Sequence, residues 1–82
     1  MLDESTIREA ARAVVQSMTG ALVADDEALI SSGLIDSLSI LKLIGQLEER
    51  LNIAIPAAQL QPDDFENVDW IVDTVGRVGK AR

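Results

Sequence analysis

Gly33-Leu34-Ile35-Asp36-Ser37-Leu38 stands near the middle of an 82-residue chain, between a long acidic connection and the strongest helical pattern in the sequence. Just downstream, Ile40, Leu43, Ile44, Leu47 and Leu51 recur at three and four, the stripe of a helix that buries one face. The spacing predicts a helix over residues 37–51, so Ser37 falls at a loop-to-helix junction. The first N–H groups of a helix have no intrahelical partner, and that end carries partial positive charge. An attached anion is stabilised there. Ser37 is therefore a surface hydroxyl where a phosphodiester would be welcome. On the residues alone a plainer role stays open. Asp36 or Ser37 can be a simple N-cap, which contributes about 1 kcal/mol. Ser39 and Ile40 occupy the positions where Glu or Gln would complete a capping box.

Outward from this stretch, length and composition limit what the chain can be. A domain of this size buries only about 60% of its unfolded surface, enough for one modest core and no deep cleft. Apolar residues make up 48%, nearly all aliphatic, with Phe65 and Trp70 the aromatics. There is no Cys and no His. Disulfides, thiolate catalysis and the usual nitrogen and sulfur zinc sites are excluded, and with them the commonest general base at neutral pH. Asp36 beside Ser37 gives no Ser-His-Asp geometry. No catalytic residue and no metal ligand are expected.

The net charge is −7. Residues 13–76 hold eleven acids against two bases, Lys42 and Arg50, hence −9 in that span. Such a field repels nucleic acid and anionic membrane and steers toward basic protein partners. No apolar run approaches a membrane span. Met1-Leu2-Asp3-Glu4 lacks the basic-then-apolar plan of a signal peptide, so a cytoplasmic protein is the expectation, and separately a monomer is expected.

In chain order, Asp3 or Ser5 can cap a first helix over about residues 4–18, with Ile7, Ala10, Ala11, Val14, Val15 and Met18 inward and Gly20 as the stop. Arg8 and Arg12 lie off that stripe. Residues 19–36 form a long loop, with Leu22, Leu29, Ile30 and Leu34 expected to pin it to the core. Asp25, Asp26 and Glu27 are expected to face water, and Ser31-Ser32-Gly33 to turn. Along the second helix a weaker row, Leu38, Leu41, Gly45 and Glu48, either widens the core face or forms a strip for a partner. Arg50 suits the negative helix end and Asn52 a left-handed exit. Pro56 makes Ile53-Ala54-Ile55 extended. Leu60 is a further core pin. Pro62-Asp63-Asp64 opens a short third helix, from which Phe65 plugs the core. Asn67 or Asp69 starts a last helix with Val68, Ile71, Val72, Val75 and Val78 on one face. Trp70 falls nearly opposite, packed against the segment around Pro62 or free for cargo or a partner. Gly76 and Gly79 weaken the end, and a basic tail follows that is expected to fray. The expected fold is all-α: three longer helices, a short third one, and a long first loop, in one domain over 1–82 with an ordered core of about 4–78.

The hexapeptide, the stripe behind it and Ile53-Ala54-Ile55-Pro56 together resemble the phosphopantetheine-binding carrier proteins, which include acyl, peptidyl and D-alanyl carriers. The resemblance covers roughly residues 5–78. It implies a four-helix bundle with a long first loop, and attachment of 4'-phosphopantetheine from coenzyme A to Ser37, flanked by Asp36 and Leu38. It implies a separate phosphopantetheinyl transferase working with magnesium. The absent cysteine then makes sense, because the arm brings the thiol for a thioester and the protein supplies anchor and docking surface. The implied partners beyond the transferase are an acyl- or aminoacyl-activating ligase and a downstream transferase or synthase. The implied docking residues are Leu34, Ile35, Leu38, Leu41, Lys42, Glu48, Glu49 and Trp70.

Ser39 and Lys42 stand where fatty-acid-synthase carriers usually show acids, and Gly45 replaces a bulkier apolar residue. Leu60 to Val68 looks more like free-standing carriers of specialised pathways, and is also similar to D-alanyl carriers. The resemblance thus implies a free-standing carrier of a small acyl or aminoacyl group in a secondary-metabolite or cell-envelope pathway. A fatty-acid-synthase carrier is one alternative. An unmodified acidic interaction module, with Ser37 a plain cap, is the other.

Overall fold

The computed structural model describes residues 3–82. Met1 and Leu2, part of the acidic start read above, lie outside the described residues. Three α-helices carry the fold. Helix α1 spans Glu4–Thr19, α2 Ser37–Leu51 and α3 Val68–Val78. Helix α1 packs against both of the others.

Each helix starts on a short polar side chain that accepts a backbone N–H three positions on, as orphan donors require. Asp3 takes Thr6 N–H, Asp36 takes Ser39 N–H and Asn67 takes Trp70 N–H. Helices α1 and α2 each end on a left-handed residue, Gly20 at φ 73° and Asn52 at φ 54°. The expected boundaries agree with these to within one residue.

The core is aliphatic around one aromatic plug, Phe65. Helix α1 contributes Ile7, Ala10, Ala11, Val14 and Val15. Helix α2 contributes Ile40, Leu43, Ile44 and Leu47, with Leu51 only half-buried. Helix α3 contributes Val68, Ile71, Val72 and Val75, and also Thr74. Thr74 is an unexpected polar member. Its hydroxyl donates to the carbonyl of Asp64 at 3.4 Å, which satisfies it inside the core.

The first loop differs from expectation by one residue at two places. Val23 and Ile35 are buried, whereas the leucines before them, Leu22 and Leu34, are 80% and 40% exposed. A loop has no fixed period, so hydropathy cannot say which of two adjacent apolar residues turns inward. Leu29 is fully buried, as expected, with Ile30 packed against the core. Asp25 faces water only in part. Its carboxylate accepts Arg8 Nη1–H at 2.7 Å, and Arg8 also donates to Asp69 at 2.6 Å. Arg8 thereby joins α1, the loop and α3. Asp69, then Asp25, holds its guanidinium above the ordinary value despite partial desolvation. Asp25 Oδ1 is buried without a hydrogen bond and has Arg12 Nε at 3.6 Å.

The short third helix is a 3₁₀ turn, Pro62–Phe65, preceded by a second one at Ala57–Gln59. The tail is not wholly irregular. Lys80–Ala81 forms a strand, β2, antiparallel to β1, Ile53–Ala54, with Ile53 opposite Ala81. Gly79 makes this return possible. A Cβ there would sit 2.7 Å from the Val75 carbonyl oxygen and 3.0 Å from Ile53 Cδ1. Among the described residues, no helix is long and apolar enough to cross a membrane.

Candidate functional site

Asp36 is the cap of α2 and Ser37 is its first helical residue. Ser39 N–H donates to Asp36 Oδ1 at 2.8 Å. This bond, with the Ser39 side chain and Leu38 N–H, holds the Asp36 carboxyl below the usual carboxylate range. With the cap filled by its neighbour, Ser37 is not needed for capping, and it is exposed. An exposed hydroxyl at the positive end of a helix suits a phosphate ester. Beyond the Asp36 cap, no acid occupies the first turn of α2 to oppose it.

The chain before Ser37 is tied down at several points. Leu29 N–H donates to the Glu66 carbonyl at 2.7 Å, and Ile35 N–H donates to the Leu29 carbonyl at 2.9 Å. Ser31 donates both its N–H and its hydroxyl, the latter at 2.6 Å, to the Glu66 carboxylate. Gly33, at φ 83°, turns the chain where a side chain would be strained. Ile35 then anchors the loop in the core, 2% exposed, directly before Asp36. The hexapeptide thus follows an inward anchor with an outward cap and hydroxyl.

Beside Ser37 lies a hollow of about 130 Å³, walled by Ile40, Leu41 and Ile44 of α2 and by Ala57, Leu60, Gln61, Pro62 and Phe65 of the two 3₁₀ turns and their flanks. A water occupies about 30 Å³ of liquid, so this space suits a group of only a few heavy atoms. Larger but open hollows lie around Arg8, Asp69 and Arg77, and beside Arg12 and Leu22. Charged side chains line them, and Ser37 borders neither.

Of the residues expected to dock a partner, Leu38 and Leu41 are 84% and 67% exposed, so the second row of α2 faces solvent and does not widen the core. Lys42, Glu49 and Leu34 are exposed with them. Ile35 is not available for docking, because it is buried in the core. Glu48 is structural: its carboxylate accepts Ile55 N–H at 2.9 Å and fixes the exit from α2. Trp70 is half-exposed on α3, in a shallow depression with Asn67, Asp69 and Asp73. The Glu66–Ser31 and Arg8–Asp25–Asp69 contacts were not foreseen, since nothing in local spacing pairs residues so far apart in the chain. Among the described residues, no cluster of His, Cys, Asp or Glu could hold a metal ion.

The fit to a phosphopantetheine arm is therefore good. Ser37 offers an accessible oxygen, α2 offers its positive end, and the adjoining hollow is mostly apolar. Residues 5–75 match the family model described as "Phosphopantetheine attachment site". The chain is 34% identical over 56 residues to the D-alanyl carrier protein of Streptococcus sanguinis (strain SK36), covering 68% of this chain and 71% of that one. It is 40% identical, over the same length and shares, to the D-alanyl carrier protein of Streptococcus pyogenes serotype M1.

Proposed function

This chain belongs to the phosphopantetheine-binding carrier family, and we propose that it carries a small acyl or aminoacyl group on an arm attached to Ser37. Its covalent cofactor is 4'-phosphopantetheine, and it acts as a carrier through that group. The single observation that supports Ser37 as the anchor is the division of labour at the start of α2. Asp36 takes the cap, Ile35 fixes the chain in the core, and the hydroxyl between cap and helix is left exposed.

Attachment asks little of this chain. Ser37 Oγ forms a bond to the phosphorus of the pantetheine phosphate in coenzyme A. The bond from that phosphorus to the nucleotide half breaks, and the nucleotide leaves with the electron pair. The hydroxyl proton goes to a base on the transferase, because this chain has no His to accept it. The arm supplies the thiol that the chain lacks, and with it the thioester that holds the cargo. No residue of this chain is given a catalytic role, and the family's part is to be acted upon by docking enzymes.

A small cargo is supported by the hollow beside Ser37, which at about 130 Å³ suits a short group. The relatives are named D-alanyl carrier proteins, which supports an aminoacyl load and a cell-envelope or other specialised pathway. Docking uses the exposed row Leu34, Leu38, Leu41 and Lys42, with Gly45 open beside it. A fatty-acid-synthase role is disfavoured by the same row, which has no acid between Asp36 and Glu48. The partners are the transferase, an activating ligase and a downstream transferase or synthase. We also propose one 1–82 domain acting in the cytoplasm, its three helices and two 3₁₀ turns packed as an acyl-carrier bundle.

The test is incubation with a broad-specificity phosphopantetheinyl transferase, coenzyme A and magnesium, read by intact mass. Ser37→Ala should take up no arm and keep its helical circular dichroism. An arm on Ser37→Ala would place the anchor elsewhere. If the wild type stays unmodified while a control carrier is labelled, the carrier reading gives way to an acidic interaction module.

A further inference from the structure

One residue far along the chain reaches the site through the loop. Glu66 sits between the Pro62–Phe65 turn and α3 and holds that loop with both backbone and side chain. Its carbonyl takes Leu29 N–H at 2.7 Å, and its carboxylate takes Ser31 N–H and the Ser31 hydroxyl, the latter at 2.6 Å. The held Leu29 takes Ile35 N–H in turn, and Ile35 precedes the cap. Ser32 closes the same turn, its hydroxyl donating to the Ala28 carbonyl and accepting Leu34 N–H. A continuous set of hydrogen bonds thus runs from Glu66 to the residue before Asp36.

These bonds are not what keeps the core together. Ser31 is exposed, so water can replace the carboxylate. The Leu29 bond goes to backbone and survives any side-chain change at Glu66. What the carboxylate adds is restriction of the Ser31–Leu34 turn. A charged acceptor receiving two donors from one residue is short and geometrically demanding. That turn also carries exposed Leu34, on the proposed docking row.

We infer that Glu66 is a positioning residue: it holds the loop in the conformation in which Ser37 and Leu34 meet the transferase together. This rests on attachment at Ser37 as proposed above. Glu66 touches no reacting atom. It sets the fraction of molecules whose loop is already arranged for docking, and a fall in that fraction raises the apparent dissociation constant in inverse proportion. Once docked, the hydroxyl is unchanged.

The experiment measures transfer kinetics on the full chain for wild type, Glu66→Ala, Glu66→Gln and Ser31→Ala. Glu66→Ala should raise KM about fivefold with kcat near wild type, as expected if about one loop in five stays arranged. Glu66→Gln keeps an acceptor oxygen and should return KM to within about twofold of wild type. Ser31→Ala removes the hydroxyl alone and should give an intermediate rise. Should Glu66→Ala fold poorly, Ser31→Ala decides, because it leaves Glu66 in place. A Glu66→Ala chain with a lowered melting temperature but unchanged KM overturns the inference and leaves attachment standing. A wild-type chain that takes no arm overturns attachment, and the inference with it.

Discussion

The two faces of α2 are built from the same residue types and do opposite things. Inward, Ile40, Leu43, Ile44 and Leu47 are buried. Outward, Leu38 and Leu41 stand 84% and 67% exposed, beside Lys42 and a glycine with open space above it. Burial of a leucine stabilises by roughly 1.5–3 kcal/mol, and an exposed one contributes little of that. The inner face therefore accounts for the fold. The outer face is idle in the free protein, and a row of idle apolar residues beginning next to Ser37 makes sense as a surface used only when a partner is present.

Substitutions can break or sharpen this contrast. The largest effect belongs inside. Leu43→Ala should lose about 2–5 kcal/mol of stability, read by denaturant melts, because the helices cannot close around the void. Leu38→Asp should leave stability within about 0.5 kcal/mol of wild type. It should lower kcat/KM for arm transfer about tenfold, or about 1.4 kcal/mol of docking. Equal transfer rates for wild type and Leu38→Asp would make the outer face irrelevant to docking. Gly45→Ala should stabilise the chain by about 0.5–1 kcal/mol, since no atom lies within 4 Å of the added Cβ. If a partner approaches that face closely, the same methyl slows loading while it raises the melting temperature.

The smallest effect concerns the cap. Asp36 and Asp3 are each held below the ordinary carboxylate range by the N–H and hydroxyl groups of the helix starts they cap. Their stabilising contributions are complete above roughly pH 4 and are lost as the pH falls through the lowered folded values. Asp36→Asn keeps a cap but removes the titration, so its melting temperature should fall less steeply than wild type on the acid side. Parallel curves for the two proteins would remove Asp36 from the acid limb.

The helices and their caps were legible because each carries its own signal. The stripe of α2, the αL exits at Gly20 and Asn52, and the polar residue before each apolar run are local. The exposed place of Ser37 at the start of α2 was legible for the same reason, since a loop-to-helix junction can be read from a handful of neighbours. The rest depends on distance. Arg8 meets Asp69, and Glu66 meets Ser31, only after the helices have packed. A two-residue pairing such as Ile53–Ala54 with Lys80–Ala81 has no periodicity to betray it. Which of Leu34 and Ile35 turns inward was settled by the turn at Gly33 and the Leu29 hydrogen bond, so neighbouring hydropathy could not separate the buried anchor from the exposed residue.

The proposed function converges on one oxygen, Ser37 Oγ. The most direct measurement is fragment mass spectrometry on the wild-type chain after transfer of the arm from coenzyme A. The account predicts a single added 4'-phosphopantetheine, located on Ser37. An arm found on Ser31, Ser32 or Ser39 instead, or no arm where a control carrier is fully loaded, would contradict it.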